Sequence, residues 1–224
     1  MQEIDSNKYS EVIKKYDFVS KKLGIKKNNQ FDILVIDPPW QQGKTKKRGV
    51  RPNQSETLDY PTLTFDEIKY LPVPEWSAQD ALIFLWVTNS KEIQSKQPIL
   101  KLGFDLLEHW GFQYHTIITW DKKTGPCPFS PFQIITEHIL FGYKGKLNFE
   151  KSIMGKLQTC FTETSKGHSV KPNSFYSNIN KYFKGNKIDI FARKKREGFV
   201  GWGDEYDQDD QEIKTSNLQS ELPL

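Results

Sequence analysis

Short apolar runs, separated by polar stretches punctuated with glycine and proline, set the rhythm of this chain. Phe31-Asp32-Ile33-Leu34-Val35-Ile36 is β-branched and apolar, as expected of a strand buried on both faces. It stops abruptly at Asp37-Pro38-Pro39-Trp40, because two prolines cannot continue a sheet ladder. Comparable runs at Ala81–Thr88, Tyr114–Trp120, Glu137–Tyr143 and Lys187–Arg193 predict four further strands.

Between the strands the pattern turns helical. Asn7–Leu23 carries Val12, Ile13, Tyr16 and Val19 at roughly helical spacing. Thr64-Phe65-Asp66-Glu67 is a capping box that opens a short helix ending before Pro72. Lys91–Trp110 reads as the best helix, with Gly111 just past its end, and Pro172–Phe183 as another with proline at its first turn. Gln41–Tyr60 and Asp121–Pro131 read as loops. The expected fold is α/β and Rossmann-like: a mostly parallel, doubly wound sheet with helices on both faces. A single domain spans residues 1–207, and the acidic, polar stretch 208–224 reads as a disordered tail. Ligands of such sheets sit outside the carboxyl ends of the strands, where Asp37, Asn89, Trp120 and Arg193 fall.

Charge sharpens the picture. The formal net charge is +4, but seven acids follow Trp202 with Lys214 as the sole base among them. Residues 1–202 therefore carry 31 bases against 21 acids, a body that suits a polyanionic partner. No apolar run approaches the ~20 residues of a membrane span, and Met1–Ser10 is polar, so a soluble intracellular protein is expected. Cys127 and Cys160 read as reduced structural thiols, and the four histidines lack metal-ligand spacing.

Asp37-Pro38-Pro39-Trp40 is the central chemical signal. In isolation the tetrapeptide is a turn; at the exit of a buried strand it is a candidate site. An exocyclic amine such as adenine N6 is a poor nucleophile, its lone pair being delocalised into the ring. A carboxylate and a neighbouring carbonyl can accept its two N–H groups and free the lone pair, with Pro38 and Pro39 holding the carbonyl rigid. Trp40 offers a flat face for a base to stack on. Lys44, Lys46, Lys47, Arg48 and Arg51 follow directly, five cations placed to grip phosphate; a solvated loop is the plainer reading.

These motifs resemble the N6-adenine methyltransferases of the MT-A seventy-kilodalton type, in their catalytic, Asp-Pro-Pro-Trp-bearing branch. The resemblance covers Asp17–Glu205. It rests on Asp37-Pro38-Pro39-Trp40, Tyr60-Pro61-Thr62-Leu63, Glu137-His138-Ile139-Leu140-Phe141-Gly142, His168-Ser169-Val170-Lys171-Pro172, Phe191-Ala192-Arg193 and Trp202-Gly203-Asp204-Glu205. It implies a permuted order, with the strand for S-adenosylmethionine at Lys187–Arg193, downstream of the catalytic motif. It further implies that Asp37, His168, Lys171 and Arg193 line the cofactor, that Asp204 and Glu205 hold its ribose, and that Asp17 and Phe18 lie near its adenine. Tyr60 would pack on the target base, Glu137 would sit beside it, and His138 reads as a structural residue. Two departures are visible: Asp204 replaces the family's usual Asn, and Asn173-Ser174 replaces an acidic pair.

The resemblance implies a nucleic-acid substrate, with DNA favoured over RNA through similarity to compact members of simple eukaryotes. It also implies a nuclear location, with cytoplasm as the alternative. A degenerate paralogue or a nucleic-acid-binding subunit is expected as a partner. Two other classes stay open: a non-catalytic scaffold subunit, and methylation of a small molecule or protein amide.

Overall fold

The computed structural model describes residue 14 and residues 31–42, 62–123, 131–147, 153–165 and 170–203. These build a seven-stranded sheet of β1 (Phe31–Ile36), β2 (Ser77–Val87), β3 (Gln113–Asp121), β4 (Thr136–Lys144), β5 (Cys160–Thr162), β6 (Lys187–Ile190) and β7 (Val200–Trp202). The strand order is β5-β3-β4-β2-β1-β6-β7. β1 runs parallel to β2 and β6, β6 parallel to β7, and β3 parallel to β5. Only β4 is reversed, lying antiparallel between β2 and β3. Among the described residues no helix lies between β3 and β4, and an antiparallel pair needs none.

Alternation along the strands sorts side chains onto two faces. Leu34, Ile36, Ile83, Leu85, Val87, Ile188 and Ile190 point to one face, under α1 (Phe65–Lys69), α2 (Val73–Trp76) and α3 (Ile99–His109). Ile33, Val35, Phe84, Trp86, Ile139 and Phe141 point to the other, under Phe175, Tyr176 and Ile179 of α4 (Asn173–Tyr182). The expected doubly wound architecture is thus present, with a helical layer on each side.

Several boundaries differ from the sequence reading. The helix expected from Lys91 begins only at Ile99, preceded by Pro98. Residues 91–98 form a turn instead, because the buried Glu92 carboxylate accepts the Gln94 and Ser95 amides at 3.0 and 2.6 Å. That turn also clamps the chain beyond Trp40: Ile93 N–H donates to the Gln41 carbonyl at 2.9 Å. The last predicted strand ends at Ile190 rather than Arg193. Phe191 turns to a φ of 65°, a left-handed conformation no strand accommodates. β5 and β7, of three residues each, are too short to stand out in the pattern. The capping box at Thr64 is present, with Glu67 accepting the Thr64 amide at 2.8 Å. Cys160, expected to be structural, lies exposed. The helix expected over 7–23 lies outside the described residues except for Lys14.

Gly103 is where α3 touches the sheet. A Cβ there would stand 2.7 Å from Val87 Cγ1 and 2.8 Å from Leu140 Cδ1. Both neighbours are fully buried and have nowhere to retreat. Gly103→Val is therefore expected to lower stability by about 2 kcal/mol through overpacking, despite removing a helix glycine. Urea unfolding of the variant checks this; unchanged stability would mean that α3 can lift off the sheet.

Candidate active site

The alternation that builds the α4 face also assembles the chemistry. Asp37 continues the parity of Ile33 and Val35 off the end of β1. Glu137 keeps that of Ile139 and Phe141 on β4, while Asp189 lies between the opposite-facing Ile188 and Ile190 on β6. Lys171 enters from the residues leading into α4. Its ammonium lies 3.0 Å from Asp37 Oδ1 and 2.9 Å from Glu137 Oε2, with its side chain 9% exposed. It also sits 4.7 Å from the centroid of a Trp86 ring. Glu137 has a second cation, Lys122, at 3.2 Å from Oε1. Four charges of alternating sign thus run Asp37, Lys171, Glu137, Lys122.

Their protonation follows from this order. Burial pushes the Asp37 carboxyl above its usual value; Lys171 offsets this and Glu137 adds repulsion. Glu137 also suffers burial, but the flanking Lys171 and Lys122 outweigh it and hold its carboxyl low. Lys171 loses hydration, yet the two carboxylates more than compensate and raise its ammonium. Burial thus dominates at Asp37, whereas the flanking cations dominate at Glu137.

The backbone around Asp37 is pinned. Its amide donates to the Ile190 carbonyl at 3.2 Å, extending the β1–β6 ladder one step. Trp40 N–H donates to the Pro38 carbonyl at 2.8 Å, a tight turn that fixes that oxygen, and Leu63 N–H holds the Pro39 carbonyl at 2.9 Å. Trp40 corrects the sequence reading. Its ring is 3% exposed within the core, and its indole donates to the Trp86 carbonyl at 3.1 Å. Trp40 therefore anchors the turn and has no open face for a base.

Asp37, Pro38, Glu137 and Lys171 are brought together, and Arg193 is close enough to act electrostatically on Asp37. Asp17, Phe18, Lys46, Lys47, Arg48, Tyr60, His168, Asp204 and Glu205 lie outside the described residues. His138 is half-buried, with Nδ1 3.1 Å from Thr119 Oγ1, consistent with a structural place.

Four participants were not foreseen. Asp189 is 2% exposed beside Asp37, facing Arg196 Nε at 3.3 Å without hydrogen-bond alignment and accepting from Tyr176 Oη at 3.3 Å. A lone acid inside the apolar run of β6 was its available signal. Arg196 lies over the Tyr176 ring at 3.4 Å. Glu163 accepts the Asn173 and Ser174 amides at 3.1 and 3.0 Å, supplying a carboxylate at the start of α4. Lys122 had no signal, since its partner is fixed only by strand pairing.

A cavity of about 760 Å³ opens elsewhere, along α4 between Phe141, Ile179 and the turn at Ile153. Among the described residues no carboxylate lines it, and the clustered charges lie at the Asp37 corner instead.

Known proteins resemble the chain over most of its length. The family model described as MT-A70 matches residues 31–205. The Mycoplasma sp type II methyltransferase M.MunI is 30% identical over 202 residues, covering 83% of this chain and 82% of that protein. The Mus musculus N(6)-adenine-specific methyltransferase METTL4 is 25% identical, covering 78% of this chain and 37% of that protein. The Cryphonectria parasitica N6-methyladenosine RNA methyltransferase MTA1 is 27% identical, covering 78% and 51%.

Asp189 gives the site a pH signature. Burial raises its carboxyl from 3.8 to about 7; Arg196 opposes this and the Asp37 charge adds to it. A folded pKa above the unfolded one means that the native state holds the proton more tightly. The resulting stability is complete below pH ~4 and is lost as pH rises to ~7. Urea midpoints of the wild type should fall across that window, and in Asp189→Asn this part of the fall should vanish. Parallel profiles would show that Asp189 does not titrate there.

Proposed function

We propose, for a chain that belongs to the MT-A70 family and is an adenine-N6 methyltransferase, that the Asp37 corner methylates adenine within a nucleic acid, DNA before RNA. The observation that carries this is the Asp37 carboxylate at the mouth of β1, 3.0 Å from the Lys171 ammonium and beside a fixed Pro38 carbonyl.

The acceptor geometry suits a reluctant amine. A backbone carbonyl has two lone pairs, and Trp40 N–H engages one on Pro38, leaving the other for an N6–H. Asp37 would accept the second N6–H and take the proton the amine sheds. Holding the nitrogen between two fixed acceptors lets positioning supply much of the rate, without a covalent enzyme intermediate. Lys171 keeps Asp37 oriented and balances its charge in a half-buried setting.

Methyltransferases of this family depend on S-adenosylmethionine, which when bound supplies an electrophilic sulfonium methyl. The residues present suit its chemistry. Asp189 Oδ2 is buried without an aligned hydrogen-bond donor, an acceptor suited to an ammonium or a ribose hydroxyl. Arg193 and Lys171 offer cations for the methionine carboxylate. His168, Asp204, Glu205, Asp17 and Phe18 keep the cofactor roles that the family resemblance implies.

On the substrate side, Tyr60 is proposed to stack on the base, since Trp40 is buried. Lys46, Lys47 and Arg48 are proposed to hold phosphate, and Glu137 to border the base. DNA stands first because the relative covered over most of its length bears the name of a type II methyltransferase. The relative named for RNA is covered over about half. A heteromeric partner and a nuclear location complete the proposal.

Asp37→Asn keeps the shape but removes the charged acceptor. It should cut methyl transfer by roughly two to three orders of magnitude, the scale of losing a key electrostatic group, while cofactor binding persists. Radiolabelled cofactor with matched DNA and RNA, digested to nucleosides, reads both activity and substrate. Near-normal labelling of N6-methyladenine by the variant would refute the role of Asp37, and label confined to RNA would reverse the substrate order.

A further inference from the structure

Asp37 and Glu137 compete for one ammonium. Lys171 reaches both carboxylates at nearly equal distance, 3.0 and 2.9 Å. A cation shared so evenly, on a flexible stem, would leave Asp37 whenever Glu137 needed it more. Glu137 is relieved of that need by a second partner, Lys122, whose side chain is 19% exposed against 17% for the acid.

The anchoring of Lys122 is unusually firm for a residue at a strand end. Its amide donates to the Ile135 carbonyl at 2.9 Å, and its own carbonyl accepts the Ser165 amide at 3.0 Å. Both bonds tie the exit of β3 to neighbouring segments, so the stem of Lys122 starts from a fixed point. The next residue behaves differently. Lys123 has a φ of 51° and turns away to pair with Asp121 at 3.0 Å, with its side chain 59% exposed. Of the two adjacent lysines, one is aimed into the corner and the other out of it.

We infer that Lys122 is a positioning residue for methyl transfer: by occupying Glu137 it commits the Lys171 ammonium to Asp37. Lys122 touches neither Asp37 nor, on this reading, the adenine; it acts through two intermediates. The inference rests on the methyltransferase reading of the site and adds a residue to it.

Removing the Lys122 charge leaves two carboxylates sharing one cation. Lys171 then leans toward Glu137, and Asp37 loses both an ion-pair partner and its aim. The groups that otherwise bear on Asp37 are Arg193, Asp189 and Tyr176, and His138 neighbours Glu137. None stands where Lys122 stands, so none replaces it. Burial already raises the Asp37 carboxyl, so weakening its partner moves it further in the same direction.

The test uses the full chain in four forms: wild type, Lys122→Met, Lys122→Arg and Lys123→Met. Two readouts are taken. One is the pH profile of kcat with S-adenosylmethionine and an adenine-containing oligonucleotide; the other is the carbon-13 NMR titration of the Asp37 carboxyl without substrate. Lys122→Met should raise both the acidic limb and the Asp37 midpoint by roughly one pH unit, the usual scale of a lost charge partner. It should lower kcat near neutrality several-fold with KM little changed. Lys122→Arg should restore both, and Lys123→Met should leave both at wild type. An Asp37 midpoint unmoved in Lys122→Met overturns the inference, as does an equal shift in Lys123→Met. Lys122→Gln, which retains the stem and a neutral donor, serves if the methionine variant does not fold. Should the wild type methylate no adenine, the functional reading fails, while the Asp37 titration still decides whether Lys122 governs that carboxyl.

Discussion

A single ammonium group shared between two carboxylates organises this molecule's chemistry. Lys171 lies within 3.0 Å of both Asp37 and Glu137 and rests over Trp86. Without it, two half-buried negative charges would face one another across β1 and β4, with β2 between those strands. Removing one partner of a buried charged cluster costs about 3–5 kcal/mol, because the remaining charge is left uncompensated. The corner is therefore a stability element as well as a candidate site, and altering one of its charges shifts the balance among the others.

The sheet makes that sharing possible. β4 is reversed, and its reversal brings Glu137, at the start of β4, beside the end of β3 and near the end of β2. A parallel β4 would have carried Glu137 to the opposite end of the strands, away from Asp37. Lys171 then reaches across from the start of α4, whose first amides are held by Glu163 rather than by an acid of its own. The family's acidic pair is Asn173-Ser174 here, and a carboxylate is still present at that helix start, delivered by a different segment. The buried Asp189 adds a third acid to the same face, with Arg196 and Tyr176 as its neighbours.

Rigidity at Asp37 has several sources. The two prolines fix their own φ, but the carbonyl of Pro38 is aimed by Trp40 N–H, and Trp40 is aimed in turn by its bond to the Trp86 carbonyl. The turn at Glu92 then holds the chain beyond it through Ile93. The tryptophan of the motif thus serves the geometry of its neighbours, and its burial belongs to the core under α1–α3. The motif is a folded device as much as a chemical one.

What the sequence determined by itself was largely local. The β-branched run before Asp37 required a buried strand, the capping box at Thr64 required a helix start, and Gly111 marked a helix end, since each depends on residues a few positions apart. The motifs named the candidate chemistry for the same reason. Tertiary structure alone decided which residues meet. Pairing of β3 with β4 placed Lys122 on Glu137, and a bond from Ile93 to Gln41 ties down the turn that stands where a helix was expected. Packing also turned Trp40 from the surface into the core. The Lys122–Glu137 and Trp40–Trp86 contacts join residues 15 and 46 positions apart, and propensity and spacing along the chain carry no record of them.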